Sequence, residues 1–304
     1  MYELENVLRP YAWGSPTAIA DLLGRPVSGG PEAELWIGAH PDSPSMARTP
    51  TAGGAGRHAP DTHDGGRLAL DALIAGDPEH YLGSASVAEF GPRLPFLLKV
   101  LAAETPLSLQ VHPTMAQARE GFAREEAAGV DPAAPERNYK DAFHKPEMIF
   151  ALTPFEALCG FRPAAESRAV FEHLAACFDL AGLELPPLVP LLLQDLAQPD
   201  ESAALRSAFE RLIAGGSDVS DATAVIAAAL VSGAPMGAHE AGLSTVVELN
   251  AQYPGDPGVL ISLLLNRISL APGQAVYLPA GNVHAYLHGL GIEVMASSDN
   301  VLRG

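Results

Sequence analysis

Pro163 divides the hydrophobic patterning of the chain into two kinds, and no other feature narrows the fold as much. Before it, short apolar runs alternate with turn formers, the pattern of a strand-built protein. Residues 34–40 (ELWIGAH) read as a strand that stops at Pro41-Asp42. Residues 96–101 and 107–112 read as two more strands around a turn at Glu104-Thr105-Pro106. Thr114 is placed to cap a helix running to about residue 128, and residues 145–152 read as another strand. Residues 49–67, rich in Gly, Ala, Pro, Thr and His, read as a surface loop, and residues 68–75 as a short helix. After Pro163, residues 164–243 are rich in Ala and Leu at helical spacing, as in 202–212 and 222–230. From Thr245 strand patterning returns over 260–265, 275–278, 283–287 and 292–295. The expectation is a mainly β body, residues 1–160 and 245–304, interrupted by an α-helical insertion over 161–244.

Charge and cysteine content exclude several function classes. Lys and Arg total 18 against 36 Asp and Glu, a net charge of −18. Such a surface repels nucleic acid and anionic lipid, so neither is expected as a partner. Two cysteines, Cys159 and Cys177, make no disulfide framework and suit a reducing compartment. No basic, apolar leader opens the sequence, and no apolar run approaches the ~20 residues that span a bilayer. A cytoplasmic monomer is the expectation.

The sharpest local motif is Gly273, five residues, Pro279, one residue, Gly281, two residues, His284. Proline ends one strand, glycine permits a tight reversal, and the next strand begins with a histidine. Gln110 and His112 sit two apart on an expected strand, so both point to one face. Glu147 begins another strand. Each of these has an ordinary reading alone: a Pro-Gly hairpin, a solvated strand end, an exposed glutamate. Together they offer two imidazoles, a carboxylate and an amide oxygen, a donor set suited to Zn²⁺ with a position left open for chemistry.

The proline-glycine-histidine stretch resembles the second sequence motif of the cupin superfamily, although His288 stands where that motif usually has asparagine. A longer series is similar to type I phosphomannose isomerases: YAWGS at 11–15, ELWIGAHP at 34–41, LPFLLKV at 94–100, LSLQVHP at 107–113, NYKDAFHKPEMIF at 138–150, FEALCGFR at 155–162, YLPAGNVHAY at 277–286 and EVMASSDNVLR at 293–303. The resemblance implies a cupin-like, jelly-roll type β-structure with a helical insertion. It implies one zinc ion per chain and interconversion of mannose 6-phosphate and fructose 6-phosphate.

Carried over position by position, it makes Gln110, His112, Glu147 and His284 the zinc ligands. It places Lys145, Asp299, Arg303, Lys99, Ser108 and Glu293 in the active site. Aldose–ketose isomerisation needs a base near C1 and C2. The candidates are Glu293, Asp299, His144, Lys145 and a zinc-bound water. Lys99, Lys145 and Arg303, with the Ser108 hydroxyl, are the expected phosphate-binding groups. His40, His58, His63, His80, His173 and His239 read as incidental. The family usually continues past the position of Arg303 into a second cupin-like β-domain and a further basic residue, absent from this sequence. The expectation is therefore twofold: zinc binding needs only residues present here, whereas turnover draws on that missing part. The rival readings are a non-catalytic cupin-like sugar-phosphate sensor or inactive remnant, and a cupin-type oxygenase.

Overall fold

The computed structural model describes residues 1–48, 67–131, 134 and 136–303. The strand Glu3–Glu5 pairs with Met46–Arg48, which pairs with Arg67–Ala69, in a small three-stranded sheet. The main sheet runs in the order Leu265–Leu270, Phe155–Phe161, His284–Ala296, Phe96–Ala103, Glu34–Ile37, Val7–Arg9.

One strand organises this sheet. His284–Ala296 pairs with four others, all antiparallel. Its first residues lie between Phe155–Phe161 and the short strand Gln110–Val111. From Gly289 onward it lies beside Phe96–Ala103, and from Gly291 beside Glu147–Ala151 as well. The ladder shifts between Tyr286 and His288, and Gly289 follows with φ 130°. A bulge followed by a glycine is how a long strand bends to serve two sets of partners. A Cβ on Gly289 would stand 2.7 Å from the Phe155 ring and 2.8 Å from the Pro154 carbonyl. The strand is apolar on both faces over much of its length, as a doubly covered strand requires.

The helices between Ala164 and Leu264 leave this sheet and return to it at neighbouring points. Phe161 and Leu265 are register partners in one antiparallel pair. The block packs as its own apolar core, with Phe171, Leu174, Leu192, Leu212, Ile226, Val246 and Leu260 all buried. It is longer than the patterning indicated. Helix Glu240–Gln252 crosses the expected boundary, and residues 260–265, expected as a strand, form helix Pro257–Ile261 and a 3₁₀ turn Ser262–Leu264. Short apolar runs do not distinguish a buried strand from a buried helix. Here the signals lie just upstream: Asp256 accepts from the Gly258 N–H, and Pro257 occupies the first turn. Among the described residues helix exceeds strand, 41% against 23%, and the fold is mixed α/β where a mainly β protein was expected.

Smaller differences follow the same logic. Residues 107–112 form a two-residue strand, Gln110–Val111, and 68–75 divides into strand Arg67–Ala69 and helix Leu70–Gly76. Residues 283–287 and 292–295 are one strand, not two. The expected loop over 49–67 lies outside the described residues apart from Arg67. Among the described residues no single helix is long and apolar enough to cross a membrane.

Replacing Gly289 with Ala should lower stability by roughly 1–3 kcal/mol, because the residue is held at positive φ against Phe155 and Pro154. Urea unfolding of the two proteins checks this, and an unchanged midpoint would refute it.

Candidate metal and substrate site

Local structure aims each donor before any tertiary contact is counted. Pro113 follows His112, and Thr114 then caps helix Met115–Ala127 through a reciprocal pair of bonds with Gln117. This fixes the direction in which the chain leaves the sheet. The reversal at Gly281, φ 90°, donates its N–H to the His112 carbonyl at 2.7 Å. The turn that launches His284 is thereby tied to the segment carrying His112. Register sets Gln110 directly opposite His284. In strand Glu147–Ala151 alternate residues are buried, which turns Glu147 inward.

The Glu147 carboxylate is the meeting point. His112 Nε2 lies 3.2 Å from one oxygen, His284 Nε2 lies 3.1 Å from the other, and Lys145 Nζ stands 3.5 Å away. His112, Glu147 and His284 are 2%, 2% and 1% exposed. The remaining ring nitrogens have partners. His112 Nδ1 is 2.7 Å from the Asn300 carbonyl, and His284 Nδ1 is 3.1 Å from the Asn282 carbonyl. A carbonyl accepts only, so each Nδ1 carries the proton and each Nε2 presents a lone pair.

Two lone pairs and a carboxylate thus converge in a dry place, an arrangement that calls for a cation. His112 Nε2 is close enough to Glu147 for an ion pair, yet it makes no aligned hydrogen bond. The ligand atoms of His112, Glu147 and His284 lie within 4.8 Å of one another. These residues fit a divalent metal of the zinc type.

Beside them opens a cavity of about 410 Å³. Five cations line it, Arg9, Lys99, Lys140, Lys145 and Arg303, with the acids Glu34, Asp42, Glu147, Glu293 and Asp299. The wall is therefore balanced in charge where the whole chain has two acids for each base. Lys99 is buried under Trp36, 3.3 Å from Glu34 and 3.6 Å from Glu293. Burial works against its charge, but these carboxylates hold its pKa above the ordinary value. Burial, reinforced by Glu147, pushes the Glu293 carboxyl up to about 7 despite Lys99. Tyr286 donates to Glu293 at 2.9 Å.

Of the residues singled out in the sequence, Lys99, Ser108, Gln110, Lys145, Glu147, Glu293, Asp299 and Arg303 all line this cavity. Arg303 Nη1 is 3.2 Å from the Ser108 hydroxyl. His144 is half-buried and is not among the lining residues. His40, read as incidental, belongs here: it is buried, its Nε2 lies 3.2 Å from Asp299, and its Nδ1 accepts from the Asp42 N–H. That contact is the main reason the Asp299 carboxyl lies below its usual value. Lys140 and Arg9 were also passed over. The available signal was position, since His40 sits inside the ELWIGAHP stretch and Lys140 inside NYKDAFHKPEMIF.

A family model described as phosphomannose isomerase type I, catalytic domain, matches residues 1–164. The mannose-6-phosphate isomerase of Escherichia coli K12 is 40% identical over 306 residues, covering all of this chain and 70% of that protein. This chain belongs to the type I phosphomannose isomerase family. Mannose-6-phosphate isomerase 1 of Arabidopsis thaliana is 35% identical over 90% of this chain and 58% of its own. The Salmonella typhimurium enzyme, solved with fructose 6-phosphate and zinc, superposes with a TM-score of 0.80 at 39% identity, covering all of this chain and 70% of that one.

Purified protein should carry one zinc per chain. His112→Ala and Glu147→Ala should each weaken zinc binding by about 100-fold or more, measured by chelator competition. Removing the metal should lower the melting temperature by several degrees, because the converging lone pairs lose their cation. Retained zinc in either variant would place the metal elsewhere.

Proposed function

We propose that this chain interconverts mannose 6-phosphate and fructose 6-phosphate. The observation that carries the reading is the buried His112–Glu147–His284 cluster opening beside a cavity lined by both acids and cations. The relative crystallised with fructose 6-phosphate and zinc supports it. A pure sensor would need the cations and the metal, but not the buried, proton-holding Glu293 aimed at the same space.

The reaction moves one proton from C2 of the aldose to C1 of the ketose and one between O2 and O1, through a cis-enediol. When bound, zinc supplies Lewis-acid stabilisation of charge on the sugar oxygens, with Gln110 as the fourth protein donor. Lys145 and Asp299 face the cavity and are assigned to proton transfer at carbon. Glu293, half-protonated near neutral pH, is suited to passing a proton between oxygens. Arg303 and Ser108, bonded to each other on the cavity wall, are assigned to the phosphate, with Lys140 and Arg9 as further cations. Lys99 is committed to its two carboxylates, so its part is to hold Glu34 and Glu293 in place.

We further infer that the β body is a cupin-like jelly roll. In this reading residues 1–160 belong with those after 264, and the helices between them are an insertion. A cytoplasmic monomer acting on a small sugar phosphate, without nucleic acid or membrane partners, fits the charge and composition.

Two substitutions test the assignment in a coupled assay with mannose 6-phosphate. Arg303→Ala should raise KM by about 10-fold or more with a smaller effect on kcat. Lys145→Ala should lower kcat by about 100-fold or more and suppress exchange of the C2 proton with solvent. Near-normal exchange would remove Lys145 from proton transfer. Absence of turnover in the zinc-loaded parent would refute the isomerase reading.

A further inference from the structure

Behind the cavity, a knot of hydrogen bonds joins the segment that orients a metal ligand to the segments that carry Lys145 and Asp299. Asn300 is its centre and is 0% exposed. All of its polar groups have partners. The carbonyl accepts from His112 Nδ1 at 2.7 Å, and the N–H donates to the Ser298 hydroxyl at 3.2 Å. The side-chain oxygen accepts from the N–H groups of Lys140 at 2.7 Å and Asp141 at 3.2 Å. The side-chain nitrogen donates to the carbonyls of Asp141 at 2.7 Å and Phe143 at 2.9 Å.

Asp141 is the second centre. Its carboxylate accepts from the Ser298 hydroxyl, the Asp299 N–H and the Phe143 N–H, each at 2.9 Å. Arg93 closes the knot from outside. Its guanidinium lies 3.7 Å over the Phe143 ring, and Nη1 donates to the Ser297 carbonyl at 3.0 Å.

We propose that Asn300, with Asp141 and Ser298, is a positioning device that couples the metal centre to the proton-transfer groups. The chemistry requires an amide at this position. Asparagine meets two N–H groups with its oxygen and two carbonyls with its nitrogen. Aspartate would turn a second oxygen toward two carbonyls, and leucine would withdraw the hydrogen bonds that Asn300 gives to four backbone groups. The same residue's carbonyl holds the His112 ring in the tautomer that presents Nε2. One residue therefore sets the ring of a metal ligand and the loop at 140–143, which runs directly into Lys145 and Glu147. Asp299, whose N–H is held by Asp141, is carried by the same knot. The half of this inference that concerns proton transfer rests on the isomerase reading above; the half that concerns the metal does not.

The test compares Asn300→Asp and Ser298→Ala with the parent, as full chains. The readouts are zinc affinity by chelator competition, the visible spectrum of the cobalt-substituted protein, and kcat and KM for mannose 6-phosphate. Asn300→Asp should bind zinc about 10-fold more weakly, alter the cobalt absorption bands and lower kcat by about 10- to 100-fold, with KM moving much less. Ser298→Ala removes the hydroxyl that Asp141 and the Asn300 N–H share, but leaves the Asn300 carbonyl on His112 Nδ1. It should lower kcat by about 10-fold and leave zinc affinity and the cobalt spectrum as in the parent. A folded Asn300→Asp protein with parental zinc affinity, cobalt spectrum and kcat overturns the proposal, even if its melting temperature falls. Should Asn300→Asp fail to fold, Ser298→Ala and Asp141→Asn decide, and parental kcat in both overturns it. If the parent turns over no sugar phosphate, the isomerase reading has failed, and the zinc and cobalt measurements on Asn300→Asp still judge the coupling to His112.

Discussion

Everything at the functional end of this molecule depends on one carboxylate, that of Glu147, held in a dry place against two imidazole lone pairs. Its position is set by pairing between strands, not by a loop. Glu147 opens a strand that lies against His284–Ala296, and the first residue of that second strand supplies one of the imidazoles. The other imidazole arrives on a segment tied by a backbone bond to the turn before His284. Three donors thus come from elements that brace one another, the kind of scaffold that keeps a site within a fraction of an ångström. The bend at Gly289 lets one strand serve both this cluster and the Lys99–Glu293 network farther along the same cavity.

The charge balance of the cavity differs from that of the chain. A net charge of −18 is a poor start for holding an anionic ligand, yet the acids on the cavity wall are largely committed elsewhere. Glu147 faces the imidazoles and Lys145, Glu34 and Glu293 share Lys99, and Asp299 is taken by His40. Glu293 is also held partly protonated by burial. Arg303, Lys140 and Arg9 are left to act outward. A few internal pairings are enough to leave cations on the wall of a cavity in an acidic protein.

The site was legible in the sequence where chemistry and periodicity act over a few residues. Gln110 and His112 two apart, a proline and glycine before His284, and the capping threonine after Pro113 each have a local physical cause; the structure turns at Gly281, starts a strand at His284 and caps a helix at Thr114, while His112 lies just past strand Gln110–Val111. What was not legible depends on distant contacts. His40 looked like any histidine at a strand end, because Asp299, which gives it a role, lies far along the chain. Residues 260–265 looked like a strand because an apolar hexamer is equally at home in a buried helix, and only neighbouring helices decide. The Asn300 knot carries no signal of its own, since an asparagine beside an aspartate usually marks a turn.

The two ends of the metal cluster lie far apart in the chain. His284 meets Glu147 across 137 residues, and His112 meets Asn300 across 188. The helical block between them packs mainly within itself and returns to the sheet beside its point of departure. Such a block can form while the β body is still missing the strand that completes it. Pairing over such separations is the slow part of folding, because the loop must close before any contact rewards it. A site closed by such contacts is complete only once they form, and strands not yet paired present open edges until then. By binding only the finished cluster, zinc favours the completed body over these open-edged precursors. The ion that serves the chemistry is thus also a check on whether the chain has finished folding.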